Sequence, residues 1–277
     1  MDVSNTHENC PEPIDGESAT VHTFARSDRL WRMLAPDLSG RTVLVTGSAK
    51  GIGRELLLSA ADCGADVAVH YHSSADEAEE VAAEAEERGV STTTVQGDVT
   101  DPDGVDELFS TVESDLGSVD VLVNNVGDFA PSHWEDIEFD TWQRVVETNF
   151  YGTYLCSKRA LSGMRDNDWG RIVSVGYAGS EKALVYPKNF PYFVAKTGVL
   201  MFTRMLAADT QDSRITVNAI SPYVVENSDE FPDELPRGRP ASFEDMSQAM
   251  LFFLHEDSDY ISGENIEVDG GWLPETL

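Results

Sequence analysis

Two residues four positions apart, Tyr192 and Lys196, carry the chemistry this chain is best equipped for. They fall at i and i+4 of a helical pattern, so both side chains leave the same face. A phenol titrates near ~10 and exchanges its proton poorly at neutral pH. A neighbouring ammonium favours the phenolate and should lower that value, which makes the pair a candidate proton donor and acceptor. A second constellation lies far upstream. Thr46-Gly47-Ser48-Ala49-Lys50-Gly51-Ile52-Gly53 follows the apolar run Val43-Leu44-Val45 and opens a helical pattern. Glycines so placed let the backbone turn sharply and approach a pyrophosphate, which the free N–H groups of a helix start attract. The fold has to bring this turn and the acid–base pair together.

The elements that must do so are regular from Arg41 onward. Strands are predicted at Arg41–Thr46, Asp66–Tyr71, Thr92–Gln96, Val119–Asn124, Arg171–Val175, Arg214–Ala219 and near Asn265–Val268. Helical patterns follow the glycine turn to about Cys63, then Ala75–Arg88, and lie around 103–115, 139–166, 191–210 and 242–255. Strands alternating with helices predict an α/β fold: a single doubly wound Rossmann-type domain, a seven-stranded parallel sheet with helices on both faces. Such sheets bind ligands at the carboxyl ends of their strands. No internal repeat or second domain is visible. Residues 1–38 read as an acidic tail, in which SDRLWRMLAP (27–36) can form one short amphipathic helix that Pro36 ends. Residues 39–277 read as the domain.

The chain has 277 residues, 41% hydrophobic and 9% aromatic, enough to bury a substantial core. No apolar run is long enough to cross a bilayer, and the acidic, polar first residues resemble neither a signal nor a transit peptide, so a cytoplasmic protein is expected. Asp and Glu number 50 against 19 Lys and Arg, a formal charge of −31. That much like charge repels itself in ordinary salt and is screened at molar salt, where the Debye length is about 3 Å. Lysines are few (Lys50, Lys158, Lys182, Lys188 and Lys196), and the surface reads as salt-adapted. Without a basic stripe, nucleic acid is not an expected partner, and neither is a membrane. Cys10, Cys63 and Cys156 are widely spaced and form no metal-ligand pattern. The carboxylates of Ala75–Arg88 read as a solvated helix face.

The landmarks taken in order resemble the short-chain dehydrogenase/reductase family across 41–272. They are the Gly47-x3-Gly51-x-Gly53 turn, Asp98-Val99, Asn124-Asn125-Val126-Gly127, Asn149 with Gly152, Tyr192-x3-Lys196, Val217-Asn218-Ala219-Ile220-Ser221-Pro222 and Val268-Asp269-Gly270-Gly271. The C-terminal half most resembles the 3-oxoacyl-carrier-protein reductase-like branch. The resemblance implies an oxidoreductase that moves a hydride between a nicotinamide cofactor and a small-molecule carbonyl or alcohol. It makes Tyr192 the proton donor in reduction, Lys196 the holder of the nicotinamide ribose and Asn149 the residue that positions a water in the proton relay. It places the cofactor against Gly47, Ser48, Lys50, Gly51, Ile52, Gly53, Asp98, Val99, Asn125, Gly127, Tyr192, Lys196, Pro222 and Val225.

At the end of the second strand, where NAD(H) enzymes carry an acid for the ribose hydroxyls, this chain has Tyr71. Lys50 occupies the family's basic position, and His72 and Ser73 can donate to a 2′-phosphate, so NADP(H) is the expected cofactor. Two departures stand out. The family's serine past the fifth strand is Tyr177 in the strand frame, whereas counting back from Tyr192 favours Ser180. The Pro-Gly after the sixth strand is Pro222-Tyr223, with Asn227 where a threonine follows. Phe129, His133 and Trp134 are candidate pocket residues. A catalytically weakened NADP(H)-binding sensor or partner subunit is the alternative. The family usually forms dimers or tetramers through the helices at about 139–166 and 191–210, so a homodimer or homotetramer is expected.

Overall fold

Four consecutive buried residues, Thr42–Val45 (β1), open the sheet of this computed structural model, which describes residues 35–182, 186–228 and 231–272. Val43 and Val45 face one core layer and Leu44 the other, so β1 is apolar on both faces, as a central parallel strand must be. The strands that follow are β2 (Asp66–Tyr71), β3 (Thr92–Gln96), β4 (Val119–Asn124), β5 (Gly170–Val175), β6 (Ile215–Pro222) and β7 (Asn265–Val268). All pair in parallel, in the order β3-β2-β1-β4-β5-β6-β7. The winding reverses between β1 and β4, and the crevice at their carboxyl ends is where such a sheet takes a ligand.

The helices α1 (Gly51–Asp62), α2 (Ala75–Glu86) and α7 (Phe243–Leu254) cover one face. The helices α3 (Pro102–Asp115), α5 (Gly152–Asp166) and α6 (Phe190–Asp209) cover the other. The expected doubly wound seven-stranded domain is therefore the observed one. The segment predicted as one helix over 139–166 is instead α4 (Phe139–Val146), a π turn at Glu147–Tyr151, and then α5. β6 runs three residues past its expected end. Residues 35–38, read with the tail, pack with the domain: Leu38 is buried and its N–H donates to Cys63 O. Residues 1–34, which hold most of the helix proposed at 27–36, lie outside the described residues. No helix among the described residues is long and apolar enough to cross a membrane.

Candidate functional site

The glycine turn sits at the switch point. Gly47 and Gly51 adopt positive φ, +67° and +56°, a region that side chains avoid. A Cβ at Gly53 would collide with Gly47 O and Asn125 Nδ2, so the helix start can close onto the strand end only at a glycine. Asn125 Nδ2 donates to Thr46 O (3.0 Å) and Gly47 O (3.3 Å), and Thr46 Oγ1 accepts from the N–H groups of Asn125 and Val126. These bonds lock the β1 and β4 ends together. Ile52 is half-buried beneath the turn and packs on the core. The Ser48 hydroxyl is fully buried and accepts from His70 N (3.0 Å), so its side chain braces β2 and does not face the crevice.

His70 escaped the sequence reading and is central here. Its Nδ1 accepts from Gly47 N–H (2.8 Å) and its Nε2 contacts Gly97 O (3.2 Å), a pattern satisfied by the neutral ring with its proton on Nε2. Burial holds its pKa down to about 4. The only signal available in advance was a polar residue inside the otherwise apolar run Val67-Ala68-Val69. Beside it opens a cavity of about 380 Å³ whose walls include Gly47, His72, Asp98, Val99 and Gly127. Asp98 accepts from both the N–H and the hydroxyl of Thr100, which holds its carboxyl below the ordinary carboxylate range against the opposing effect of burial.

Lys50 and Ser73 stand at the solvent end, with His72 exposed at the cavity wall. Lys50 Nζ is held 2.6 Å from Glu77 of α2, a pairing that lowers the Glu77 carboxyl. Sequence spacing could not show this partner.

At the other end of the crevice the π turn swings Asn149 into the interior, fully buried. Its Nδ2 donates to Asp128 O and Val145 O (2.8 Å each), and its Oδ1 is buried with no partner among the described residues. A Cβ at Gly127 would strike that Oδ1 and come within 3.4 Å of Lys196 Nζ, so a glycine is required where the three meet. Lys196 is 3% exposed, and its Nζ donates to Val175 O (2.6 Å) and lies 5.5 Å from the Tyr192 ring centre. Burial pulls the lysine down to about 7 and pushes the Tyr192 phenol up. Desolvation disfavours both charged forms, the phenolate and the ammonium.

Tyr177 lies two residues past β5, and its ring meets Tyr192 edge-on at 5.8 Å. Ser180 is buried three residues on, its Oγ without a partner among the described residues. Phe129 also meets the Tyr192 ring edge-on, at 5.4 Å, whereas His133 and Trp134 lie at the surface. Pro222 is buried at the end of β6, where its carbonyl accepts from Ala178 N (2.9 Å). Val225 bridges to Ala241, and its N–H is already taken by Ser228 Oγ (3.1 Å). Tyr223 stacks on Trp272 at 3.9 Å.

A glycine turn at a switch point and a half-buried tyrosine against a buried lysine define a class: Rossmann-type oxidoreductases. The family described as Enoyl-(Acyl carrier protein) reductase matches residues 47–273. The 3-oxoacyl-[acyl-carrier-protein] reductase FabG of Staphylococcus epidermidis is 32% identical over 241 residues, 83% of this chain and 98% of that protein. Among solved structures, acetoin dehydrogenase YohF from Salmonella typhimurium superposes with a TM-score of 0.78 at 27% identity, covering 86% of this chain and 98% of that one. The landomycin C-6 ketoreductase LanV, with bound NADP and rabelomycin, does so at 0.78 and 30%, covering 85% and 97%. The chain belongs to the short-chain dehydrogenase/reductase family, in its 3-oxoacyl-[acyl-carrier-protein] reductase-like branch.

Proposed function

We propose that this protein is an NADP(H)-dependent oxidoreductase that interconverts a carbonyl and an alcohol on a small molecule. The observation that carries the reading is the convergence of the buried Lys196 and Asn149 on Gly127, with half-buried Tyr192 beside the lysine, next to the glycine turn. The turn fits a dinucleotide: its glycines bring the start of α1 to the switch point, where helix N–H groups would meet a pyrophosphate, and the cavity at His72 and Asp98 fits the adenosine end. The nicotinamide of such a cofactor supplies or accepts the hydride.

The chain's own residues supply the rest. Tyr192, protonated across the neutral range, is the group that protonates the substrate oxygen in reduction, with Lys196 and the bound cofactor's positive ring to favour the phenolate left behind. Lys196 spends one donor on Val175 O, which fixes its direction, and keeps the others for the ribose hydroxyls and for Tyr192. The unpartnered Asn149 Oδ1 provides a buried acceptor for a relay water, in keeping with the role the family assigns this residue. Tyr177 replaces the usual serine as donor to the substrate oxygen, from a longer arm. The NADP(H) preference is supported by Tyr71 where an acid would repel a 2′-phosphate, with Lys50, His72 and Ser73 at hand. The phosphate must displace Glu77 from Lys50. A cytoplasmic homodimer or homotetramer is part of this reading.

The test is NADPH oxidation on a panel of ketones in molar KCl. Tyr192→Phe should lower kcat by at least about 10²-fold while NADPH still binds. Lys50→Ala should shrink the preference for NADPH over NADH. Unchanged turnover in Tyr192→Phe would remove the proposed acid. Tight NADPH binding with no turnover on any carbonyl would favour a sensor.

A further inference from the structure

We infer that a cavity beside β7 binds a small monocarboxylate with an apolar body, at a site separate from the catalytic tyrosine and the cofactor turn. The cavity measures about 310 Å³ and is walled by residues 223–224 and 235–241, the start of α7 and the end of β7. Neither Tyr192, Lys196 nor the glycine turn lines it. It exists because the chain leaving β6 doubles back. Ala241 N–H donates to Val224 O, and Glu226 N–H donates to Ala241 O (2.9 Å each). These bonds return residues 235–241 to the side of β7, where Arg237 Nε donates to Gly270 O (3.1 Å).

The first observation is which charges in the cavity are taken. Its charged wall residues are Arg237, Arg239, Asp245, Glu267 and Asp269. Arg239 pairs with Asp245, whose carboxylate also accepts from Ser242 N–H (2.8 Å). Glu267 accepts from Gly179 N–H (2.8 Å) and Lys182 Nζ (2.6 Å), and Asp269 accepts from Gly271 N–H (2.9 Å). Arg237 has no carboxylate partner among the described residues, although the chain holds 50 Asp and Glu against 19 Lys and Arg. Its side chain is exposed, so the ends of the guanidinium are open to a ligand.

The second observation is the backbone that aims it. Arg237 adopts φ +56°, in the left-handed region that side chains avoid. A Cβ at Gly270 would stand 3.0 Å from Pro236 Cβ and 3.7 Å from Arg237 Cδ, so the arginine stem lies against that glycine. Such strained residues persist where their surroundings fix them, and they gather at ligand clamps. The fork of a guanidinium matches a carboxylate, and one negative charge balances Arg237. The second charge of a phosphate would face Glu267 and Asp269 with no cation left over. The other walls, among them Leu235, Pro240, Ala249, Ile266 and Val268, reward a hydrocarbon body. At ~30 Å³ each the cavity holds about ten water-sized groups, the size of octanoate.

The experiment titrates octanoate, 1-octanol and octyl phosphate into the full chain by calorimetry, at pH 8 in molar KCl, with and without NADPH. Octanoate should bind at least about tenfold more tightly than either of the others. Arg237→Asn removes the guanidinium and keeps a residue that tolerates the left-handed backbone. It should weaken octanoate at least about tenfold and leave octanol unchanged. Ala249→Phe fills the cavity from α7 with Arg237 intact, and should weaken both. Octanol or octyl phosphate binding as tightly as octanoate to the wild-type protein would overturn the inference. So would octanoate affinity that neither variant changes. Strict competition between octanoate and NADPH would place the acid in the cofactor crevice and overturn it as well. None of these readouts needs turnover, so they hold whether or not the chain reduces a ketone.

Discussion

His70 shows how one side chain can hold a binding turn from the wall of the cavity beside it. Its ring accepts from the first glycine of the turn and reaches the carbonyl of Gly97, tying the ends of β1, β2 and β3 into one wall. His70→Leu keeps the volume and removes both bonds, leaving Gly47 N–H unpaired. NADPH should then bind about tenfold more weakly with kcat nearly unchanged, and His70→Asn, which keeps an acceptor and a donor, should recover part of the loss. Equilibrium titration beside steady-state kinetics separates these effects. Lys196 makes the opposite trade. Its ordinary pKa of 10.5 falls to about 7 in the fold, so between those values the unfolded chain holds more protons and stability rises with pH. Below about 7 the penalty is complete, at most about 5 kcal/mol. Lys196→Met should therefore abolish turnover, raise Tm at pH 6 by several degrees, and flatten the rise of Tm from pH 7 to pH 9. A Tm curve parallel to the wild type would show that the lysine is not desolvated as described.

Among the elements, the break between α4 and α5 matters most. The π turn at Glu147–Tyr151 adds a residue to the helix and turns Asn149 inward onto Gly127 and Lys196. Gly127→Ala drives a methyl into Asn149 Oδ1. Activity should drop by at least about 10²-fold while Tm moves by only a few degrees, because the change displaces the relay and not the core. Most of the sheet was legible because the central strands alternate between two apolar layers, as Val43, Leu44 and Val45 do, and because Gly, Asn and Tyr-x3-Lys landmarks mark the strand ends. The π turn was not legible, since Asn149 and Gly152 fit an unbroken helix equally well. What selects the wider turn is tertiary: Gly152 packs so closely on Val99 that a Cβ would stand 2.8 Å from it. The pairing of Lys50 with Glu77 was hidden for the same reason, since only the packing of α2 on α1 brings them together. Tyr177 was readable as a substitution, but its contact with Tyr192 was not.

At the scale of the whole molecule, apolar surface and charge pull in opposite directions. Tyr151 and Tyr154 at the start of α5 and Val194, Met201 and Met205 on α6 are all exposed, Met201 by 67%. A second copy seated there would bury them, yet each copy brings a formal −31 to the encounter. The cations offset little of it locally, since exposed pairs such as Arg165–Asp209 and Arg88–Asp62 are each worth about 0–1 kcal/mol. Salt weakens those pairs but weakens the general repulsion more, because the Debye length falls from about 10 Å at 0.1 M to about 3 Å at 1 M. Association and Tm should therefore both rise together from 0.1 to 2 M KCl. Sedimentation should show Met201→Glu remaining monomeric at high salt, while its own Tm still rises as screening relieves repulsion within the monomer. If Tm fell with salt, ion pairs and not the carboxylate excess would govern stability. If Met201→Glu associated like the wild type, the interface would lie elsewhere on the surface.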